Sequence, residues 1–372
     1  MKINRKAVFA FACIFMASAP AFAAETIKIG IGGAHSGDLA SYGLPTVKAA
    51  ELVVEERNAA GGILGKQIEL IKEDDACKPE IATNTATKLI TSGVQAVIGH
   101  ICSGATKAAI GIYKGSNLVC ISPSATAPDF TLSGDYPNFF RTISHDFLQA
   151  DLQADFVLNN LKAQKIAIIH DKGEYGKGIA TIVKEKIEKA GFKDKIVVFE
   201  GVTSGAVDYA AIVQKIKHEK ADTIVWGGYH ADASKIIKQI RQKKMQVNFI
   251  GPDGLKDETF IQVAGADAEG VYASGPSTPK NSLAEKAREQ HIKKYGEEPG
   301  AFYYQAYSAT LALLNAIQKA GSTDFAALTK ALKSESVDTP IGKISFDKNG
   351  DATGISLSMY KVEKGKFVEQ VK

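Results

Sequence analysis

Short apolar runs alternate with amphipathic stretches along this chain, and the alternation begins twice. In the first series Thr26–Ile31, Gln67–Ile71, Gln95–Gly99 and Leu118–Ile121 read as strands. Helices are expected between them over Gly43–Ala60, Pro79–Ser92 and Thr106–Tyr113, the first with Pro45 in its opening turn and Gly61-Gly62 past its end. The second series sets strands at Lys165–His170, Lys195–Phe199, Thr223–Trp226 and Asn248–Ile250 against helices at Gly178–Ala190 and around Ile212–Ile216 and Ile236–Ile240. Continuous apolar strands such as Lys165–His170 suit a parallel sheet covered on both faces. Strands and helices of this length build βαβ units, so each series predicts a doubly wound α/β lobe. The last hundred residues are less regular, with helices expected at Ser282–Tyr295, Tyr304–Ala320 and Phe325–Ser334 and a hairpin of Ser356–Tyr360 with Lys366–Val368.

The first 23 residues stand apart. Lys2, Arg5 and Lys6 precede the wholly apolar Ala7–Ala17 and then Ala21-Phe22-Ala23, which is the order of a cleavable secretory signal. The apolar run is too short to span a bilayer, which takes about 20 residues. Cys13 lies inside that run without a Leu three residues earlier, so lipid attachment is not expected. Loss of the three basic residues brings the formal charge of +4 down to about +1, leaving no electrostatic footprint for nucleic acid. Export implies an oxidising compartment in which a disulfide persists. Three cysteines remain, and Cys120 sits in the apolar strand Leu118–Ile121, where a thiol behaves as a small hydrophobe. That pairs Cys77 with Cys102.

The usual catalytic motifs fail residue by residue. Gly30-Ile31-Gly32-Gly33 would need a third glycine where His35 stands, so the dinucleotide fingerprint is broken. Gly61–Lys66 is one residue short of a phosphate loop and is followed by Gln67. There is no G-x-S-x-G elbow, and the seven histidines are scattered without metal-ligand spacing. No cofactor, no metal and no catalytic residue is expected.

Other segments carry a positive signal. Ala34-His35-Ser36-Gly37 to Tyr42-Gly43, Asn58-Ala59-Ala60-Gly61-Gly62-Ile63, Asp74-Asp75-Ala76-Cys77, Val97-Ile98-Gly99-His100, Ser122–Pro128, His170-Asp171-Lys172 with Tyr175-Gly176, Gly227–His230 and Gly251–Gly254 occur in register over the chain beyond residue 23. Together they resemble the periplasmic leucine/isoleucine/valine-binding proteins. The resemblance implies a type I periplasmic-binding-protein fold: two doubly wound parallel-sheet lobes joined by three crossovers, with the ligand between them. It places one lobe at 24–144 plus 277–355 and the other at 145–276 plus 356–372. It implies a periplasmic monomer that captures a free amino acid, most simply leucine, isoleucine or valine, performs no chemistry, and delivers it transiently to an inner-membrane ABC permease. Alternatives are the same cleft tuned to another amino acid or a small amide, a sensor that hands its signal to a receptor, and a small-amide hydrolase.

The same resemblance nominates the ligand contacts. A free amino acid presents a carboxylate, an ammonium and a side chain at one carbon. Ser103 matches a donor to the carboxylate, Thr126 matches a threonine whose hydroxyl and backbone meet the ligand head, and Ser124 matches a carbonyl that meets the ammonium, with Ser in place of Ala. Asp253 matches the ammonium-binding acid, one methylene shorter than the family's Glu, at the C-terminal end of a strand where open α/β sheets bind ligands. Tyr42, Tyr175, Tyr229 and Phe302 match aromatic walls; Tyr303 or Tyr304 would replace Phe302 if the register shifted. Each has a plain structural alternative: an N-cap for Ser103, a loop hydroxyl for Thr126, a turn residue for Asp253, and core packing for the aromatics.

Overall fold

The computed structural model describes residues 25–371; the signal-peptide expectation for residues 1–23, with Cys13, lies outside them. The first series folds as β1 (Ile27–Gly33), α1 (Ala40–Ala59), β2 (Ile68–Asp74), α2 (Pro79–Thr91), β3 (Ala96–Ile98), α3 (Ser103–Gly115), β4 (Val119–Ser122), α4 (Asp129–Leu132) and β5 (Phe139–Arg141). These strands form one parallel sheet in the order β2-β1-β3-β4-β5.

The second series is α5 (Asp146–Asp155), which runs on into a π turn at Phe156–Asn160, then β6 (Ile166–His170), α6 (Glu174–Lys189), β7 (Ile196–Gly201), α7 (Ala210–Glu219), β8 (Thr223–Gly227), α8 (His230–Gln242), β9 (Asn248–Gly251), α9 (Glu258–Ala264) and β10 (Tyr272–Pro276). The chain then returns to the first sheet with α10 (Ser282–Tyr295), α11 (Tyr303–Ala320), α12 (Phe325–Ser334) and a small ribbon of β11 (Val337–Thr339) and β12 (Gly342–Ile344). It crosses once more to add the hairpin β13 (Leu357–Glu363) and β14 (Lys366–Val371). The second sheet has the order β14-β13-β10-β9-β8-β6-β7, parallel except where β13 joins β10 and β14 joins β13.

Each sheet is covered on both faces, as its apolar strands require. In the first lobe, Ile29, Ile98 and Ile121 pack with Val53 of α1 and with Leu313, Leu314 and Ile317 of α11. Val97 and Cys120 face the other way, onto Leu89 of α2 and Ile110 and Tyr113 of α3. In the second lobe, Ile224 and Trp226 pack with α7 and α8, while Ile168, Val225 and Ile250 pack under α5 and α6. Three crossovers join the lobes, between β5 and α5, β10 and α10, and β12 and β13.

Three helices start earlier than the sequence suggests, and each carries a residue toward the gap between the lobes. α1 begins at Ala40, so Pro45 stands in its second turn and not its first; a proline there leaves the Ser41 carbonyl without an intrahelical N–H. The added turn brings Tyr42 into the helix. α3 begins at Ser103 and α6 at Glu174, ahead of the expected Thr106 and Gly178. At Gly176 any Cβ would run into the Asp171 carboxylate and the Gly227 carbonyl, so glycine alone lets the start of α6 sit this close to the end of β8.

Candidate functional site

The C-terminal ends of the two sheets face one another, and there seven of the eight nominated residues meet. Tyr42, Ser103, Ser124, Tyr175, Tyr229, Asp253 and Phe302, with Ile101 and Gly254, line a narrow cavity of about 10 Å3. Thr126 is not on its lining but is fully buried in the loop after β4. A hollow walled by the three crossovers lies elsewhere, and none of the eight residues lines it.

Ser103 is not the N-cap of α3. That place belongs to Cys102, and Ser103 is the first helical residue, 2% exposed, with no partner for Oγ within the protein. Thr126 Oγ1 is likewise buried without a partner. Buried hydroxyls left unmatched are costly, by roughly 1–3 kcal/mol each, so the Ser103 hydroxyl at the start of α3 points to an external acceptor. The dipole and free N–H groups there favour an anion. Ser124 differs: its hydroxyl donates to the Ile101 carbonyl at 2.7 Å, so the side chain is used within the loop.

Asp253 lies in a short 3-10 turn after β9 and is 2% exposed. Its Oδ1 accepts from the Tyr175 hydroxyl and from the Gly254 N–H at 3.0 Å, while Oδ2 has no partner. Gln149 of α5 anchors the turn by accepting the Asp253 N–H at 2.6 Å and the Ser274 hydroxyl at 2.7 Å. Burial raises the Asp253 carboxyl above its ordinary pKa, against the hydrogen bonds from Tyr175 and Gln149. A turn residue alone would not be buried with a free carboxylate oxygen aimed at a cavity.

The aromatic wall is continuous. Tyr42 packs against Phe302 and Tyr229 with ring centroids 5.5 and 6.0 Å apart, and Tyr229 against Tyr175 at 5.0 Å. Phe302 holds the register: Tyr303 is buried in the first lobe and donates to the Ala287 carbonyl at 3.1 Å. The Tyr42 hydroxyl donates across the cleft to the Gly254 carbonyl at 2.5 Å. Ser41 Oγ meets His230 Nε2 at 3.2 Å, and Lys107 Nζ meets Glu174 Oε1 at 2.5 Å. These three contacts bridge the lobes, so the cleft is closed.

Cys77 and Cys102 form a disulfide with Cα atoms 5.5 Å apart, and Cys120 is a buried free thiol whose Sγ donates to the Gly99 carbonyl at 2.8 Å. The bridge ties the residue before Ser103 to the loop after β2. Asp75 in that loop accepts the Cys77 N–H at 2.7 Å and meets His100 Nδ1 at 2.6 Å, and His100 Nε2 meets the Tyr113 hydroxyl at 2.8 Å. Ser103 is thus held from below by a wholly buried polar chain.

One buried acid, beside Thr126 and off the cavity lining, was not foreseen. Asp146, the first residue of α5, is fully buried, and its N–H donates to the Thr126 carbonyl at 2.9 Å. Burial, reinforced by the charge of Asp253, pushes its carboxyl up to about 7. Among the described residues, no three His, Cys, Asp or Glu side chains cluster as a metal site would require.

With this geometry in place, comparison with known proteins is direct. A family model described as periplasmic binding protein matches residues 26–366. This chain belongs to the periplasmic binding protein family. The leucine-, isoleucine-, valine-, threonine- and alanine-binding protein of Pseudomonas aeruginosa is 36% identical to it over 351 residues, covering 94% of this chain and 93% of that protein. The Leu/Ile/Val-binding protein of Escherichia coli K12 is 36% identical over 361 residues, 97% of each chain. The crystal structure of the branched-chain amino acid transporter substrate-binding protein LivJ of Streptococcus pneumoniae, in complex with isoleucine, superposes with a TM-score of 0.84 at 32% identity, covering 94% of this chain and 99% of that one. The two-lobed architecture of this binding protein is therefore the type I periplasmic-binding-protein fold, as its sequence motifs imply.

Proposed function

We propose that this binding protein captures a free branched-chain amino acid, leucine, isoleucine or valine, between its lobes in the periplasm and delivers it unchanged to an inner-membrane ABC permease. The observation that carries the reading is the set of unmatched buried atoms: Ser103 Oγ and Thr126 Oγ1 on the first lobe and Asp253 Oδ2 on the second. An α-carboxylate completes the hydroxyls and an α-ammonium completes the aspartate, while Tyr42, Tyr175, Tyr229 and Phe302 cover an apolar side chain. The relatives bind ligands of this class. Ser124, with its hydroxyl turned to Ile101, leaves its carbonyl for the ammonium.

The lobes, 24–144 with 277–355 and 145–276 with 356–372, move as units about the three crossovers in this reading. Ligand draws the population toward the closed form because only that form matches both charged ends. Residues 1–23 are removed on export, the protein works as a monomer, and no step of catalysis is involved. A thermal-shift screen against all amino acids and small amides tests the ligand class, since a bound ligand stabilises by mass action. Leucine, isoleucine and valine give the largest rises. A rise confined to amides, or turnover of any bound compound, would overturn the reading.

A further inference from the structure

The three crossovers enclose more than a hinge. Among them lies a hollow of about 360 Å3, within the range of about 300–1,000 Å3 that suits a small molecule. Each crossover supplies a wall, with Ile143 from the first, Thr278 from the second and Ile355 from the third. The first lobe adds Gln305 of α11 and Ile341 of the β11–β12 turn, and the second adds Leu357 of β13. The rim is already held. The Thr142 hydroxyl donates to the Gln305 carbonyl at 2.8 Å, and the Asn281 carboxamide donates to the Thr339 and Pro340 carbonyls at 3.1 and 2.9 Å. The Ser277 N–H donates to the Ser356 carbonyl at 3.0 Å. These bonds tie crossover to lobe and crossover to crossover, so the hollow is formed before anything enters it.

Two polar side chains on the wall are left over. Gln305 is 6% exposed and Ser144 7%. Among the described residues, neither the Gln305 carboxamide nor the Ser144 hydroxyl has a hydrogen-bond partner, since the bond at Gln305 is taken by its backbone carbonyl. Polar groups buried this far are nearly always matched. A carboxamide offers two N–H donors and a carbonyl acceptor, which is the complement of another primary amide. The charges on the wall cancel, because Lys280 Nζ lies 3.7 Å from Glu369 Oε2. Much of the remaining wall is hydrocarbon, from isoleucine and leucine side chains and from Pro276, Pro279 and Pro340, which have no N–H to match.

We propose that this hollow is a second binding site, for a small uncharged amide with a branched hydrocarbon body, and that its occupancy favours the closed form. Its walls come from both lobes, and the cleft is closed here, so hinge rotation moves Gln305 and Ile341 relative to Leu357. A compound that fits the closed shape has a differential affinity for it, which is what shifts a population. The second crossover carries the coupling. Pro276 to Pro279 also wall a neighbouring hollow that reaches Asp253 and Phe302, and both of these line the ligand cavity. By linkage, leucine and the amide raise each other's affinity by one factor. The inference takes lobe closure on leucine from the reading above.

Isobutyramide is the probe. Added to leucine-saturated protein, whose cleft is occupied, it should shift the methyl NMR signals of Ile143, Ile341, Ile355 and Leu357, with a dissociation constant of about 1–10 mM. Isobutyrate and protonated isobutylamine should bind at least about tenfold more weakly, since each brings an uncompensated charge. Gln305→Leu keeps the backbone carbonyl that Thr142 uses and removes the carboxamide, and it should weaken isobutyramide about tenfold. Ile341→Trp fills the hollow and should abolish the shifts while leucine still binds. Calorimetry in saturating isobutyramide should find leucine bound about fivefold more tightly by wild type, and with unchanged affinity by Ile341→Trp. Absence of shifts at the four residues, tighter binding of either ion, or shifts that persist in both variants overturns the inference. So does a wild-type leucine affinity that isobutyramide leaves unchanged or lowers. If wild type binds no amino acid, the amino-acid reading fails by itself, and the shifts in ligand-free protein still decide whether the hollow is a site.

Discussion

The two walls of the cleft are built from different materials. The first-lobe wall presents neutral hydroxyls at the start of α3 and in the loop after β4, backed by a disulfide and by the Asp75–His100–Tyr113 chain. The second-lobe wall presents an acid and aromatic hydroxyls, backed by hydrogen bonds to Gln149 and the packing of α6 on β8. All three cysteines among the described residues lie on the first-lobe side. The difference teaches how a zwitterion is divided. A carboxylate is matched by donors that need no charge of their own, and a helix N-terminus supplies them if the loop before it is held rigid. An ammonium is matched by an acid that must be buried, and a buried acid is tolerated only while its charge is compensated or its proton retained. The covalent stiffening is on the neutral wall and the adjustable chemistry on the charged one.

The largest expected effect tests the stiffening. Replacing Cys77 and Cys102 by serine opens a loop of 25 residues and should lower unfolding stability by about 3 kcal/mol on a chain-entropy basis, measured by denaturant melts. If the bridge serves the first wall alone, the lost affinity for leucine and valine will be the same factor, because both share the carboxylate. Next comes Asp253→Asn, for which calorimetry should find every amino acid weakened by roughly 1.5–3 kcal/mol. Equal binding by this variant and wild type would reduce Asp253 to a turn residue and remove the charged half of the comparison. Ser103→Ala should lower affinity by about 1.5 kcal/mol while leaving the ranking of side chains unchanged. A re-ranking would mean that Ser103 touches the side chain and not the head.

The same contrast explains what could be seen in the sequence. The two series of strands, the Cys77–Cys102 pair and the aromatic wall were legible because apolar periodicity and a register of motifs mark them. β5 was not, since Phe139–Arg141 ends its short apolar run on a buried arginine, where the equally short β3 is apolar throughout. α5 was missed for a more instructive reason. Its inward face carries Asp146, Gln149 and Gln153, all buried beside Ala150 and Ala154. A polar inward face cancels the apolar stripe by which a helix is recognised, and here Gln149 on that face accepts the Asp253 N–H and holds its turn. Asp146 went unseen with the helix that carries it. A run of polar residues at spacings of three and four, with small residues between, is the one signal that could have exposed it.

The smallest effect expected is at the rim, where the walls meet outside the cavity. Lys107 of α3 reaches Glu174 of α6 and lies 3.4 Å from Asp129 of its own lobe. The lysine side chain is 45% exposed and that of Glu174 34%. An ion pair so open to water and salt is worth little, about 0.2–1 kcal/mol, and Lys107 can fall back on Asp129 when the lobes part. Glu174→Gln should therefore weaken leucine binding less than fivefold, a difference of about 1 kcal/mol, and the loss should vanish in high salt. Small-angle scattering should still show the radius of gyration fall when ligand is added, because Tyr42–Gly254 and Ser41–His230 remain. If instead the variant no longer closes, the buried contacts around the ligand are too weak to bring the lobes together, and the rim governs closure.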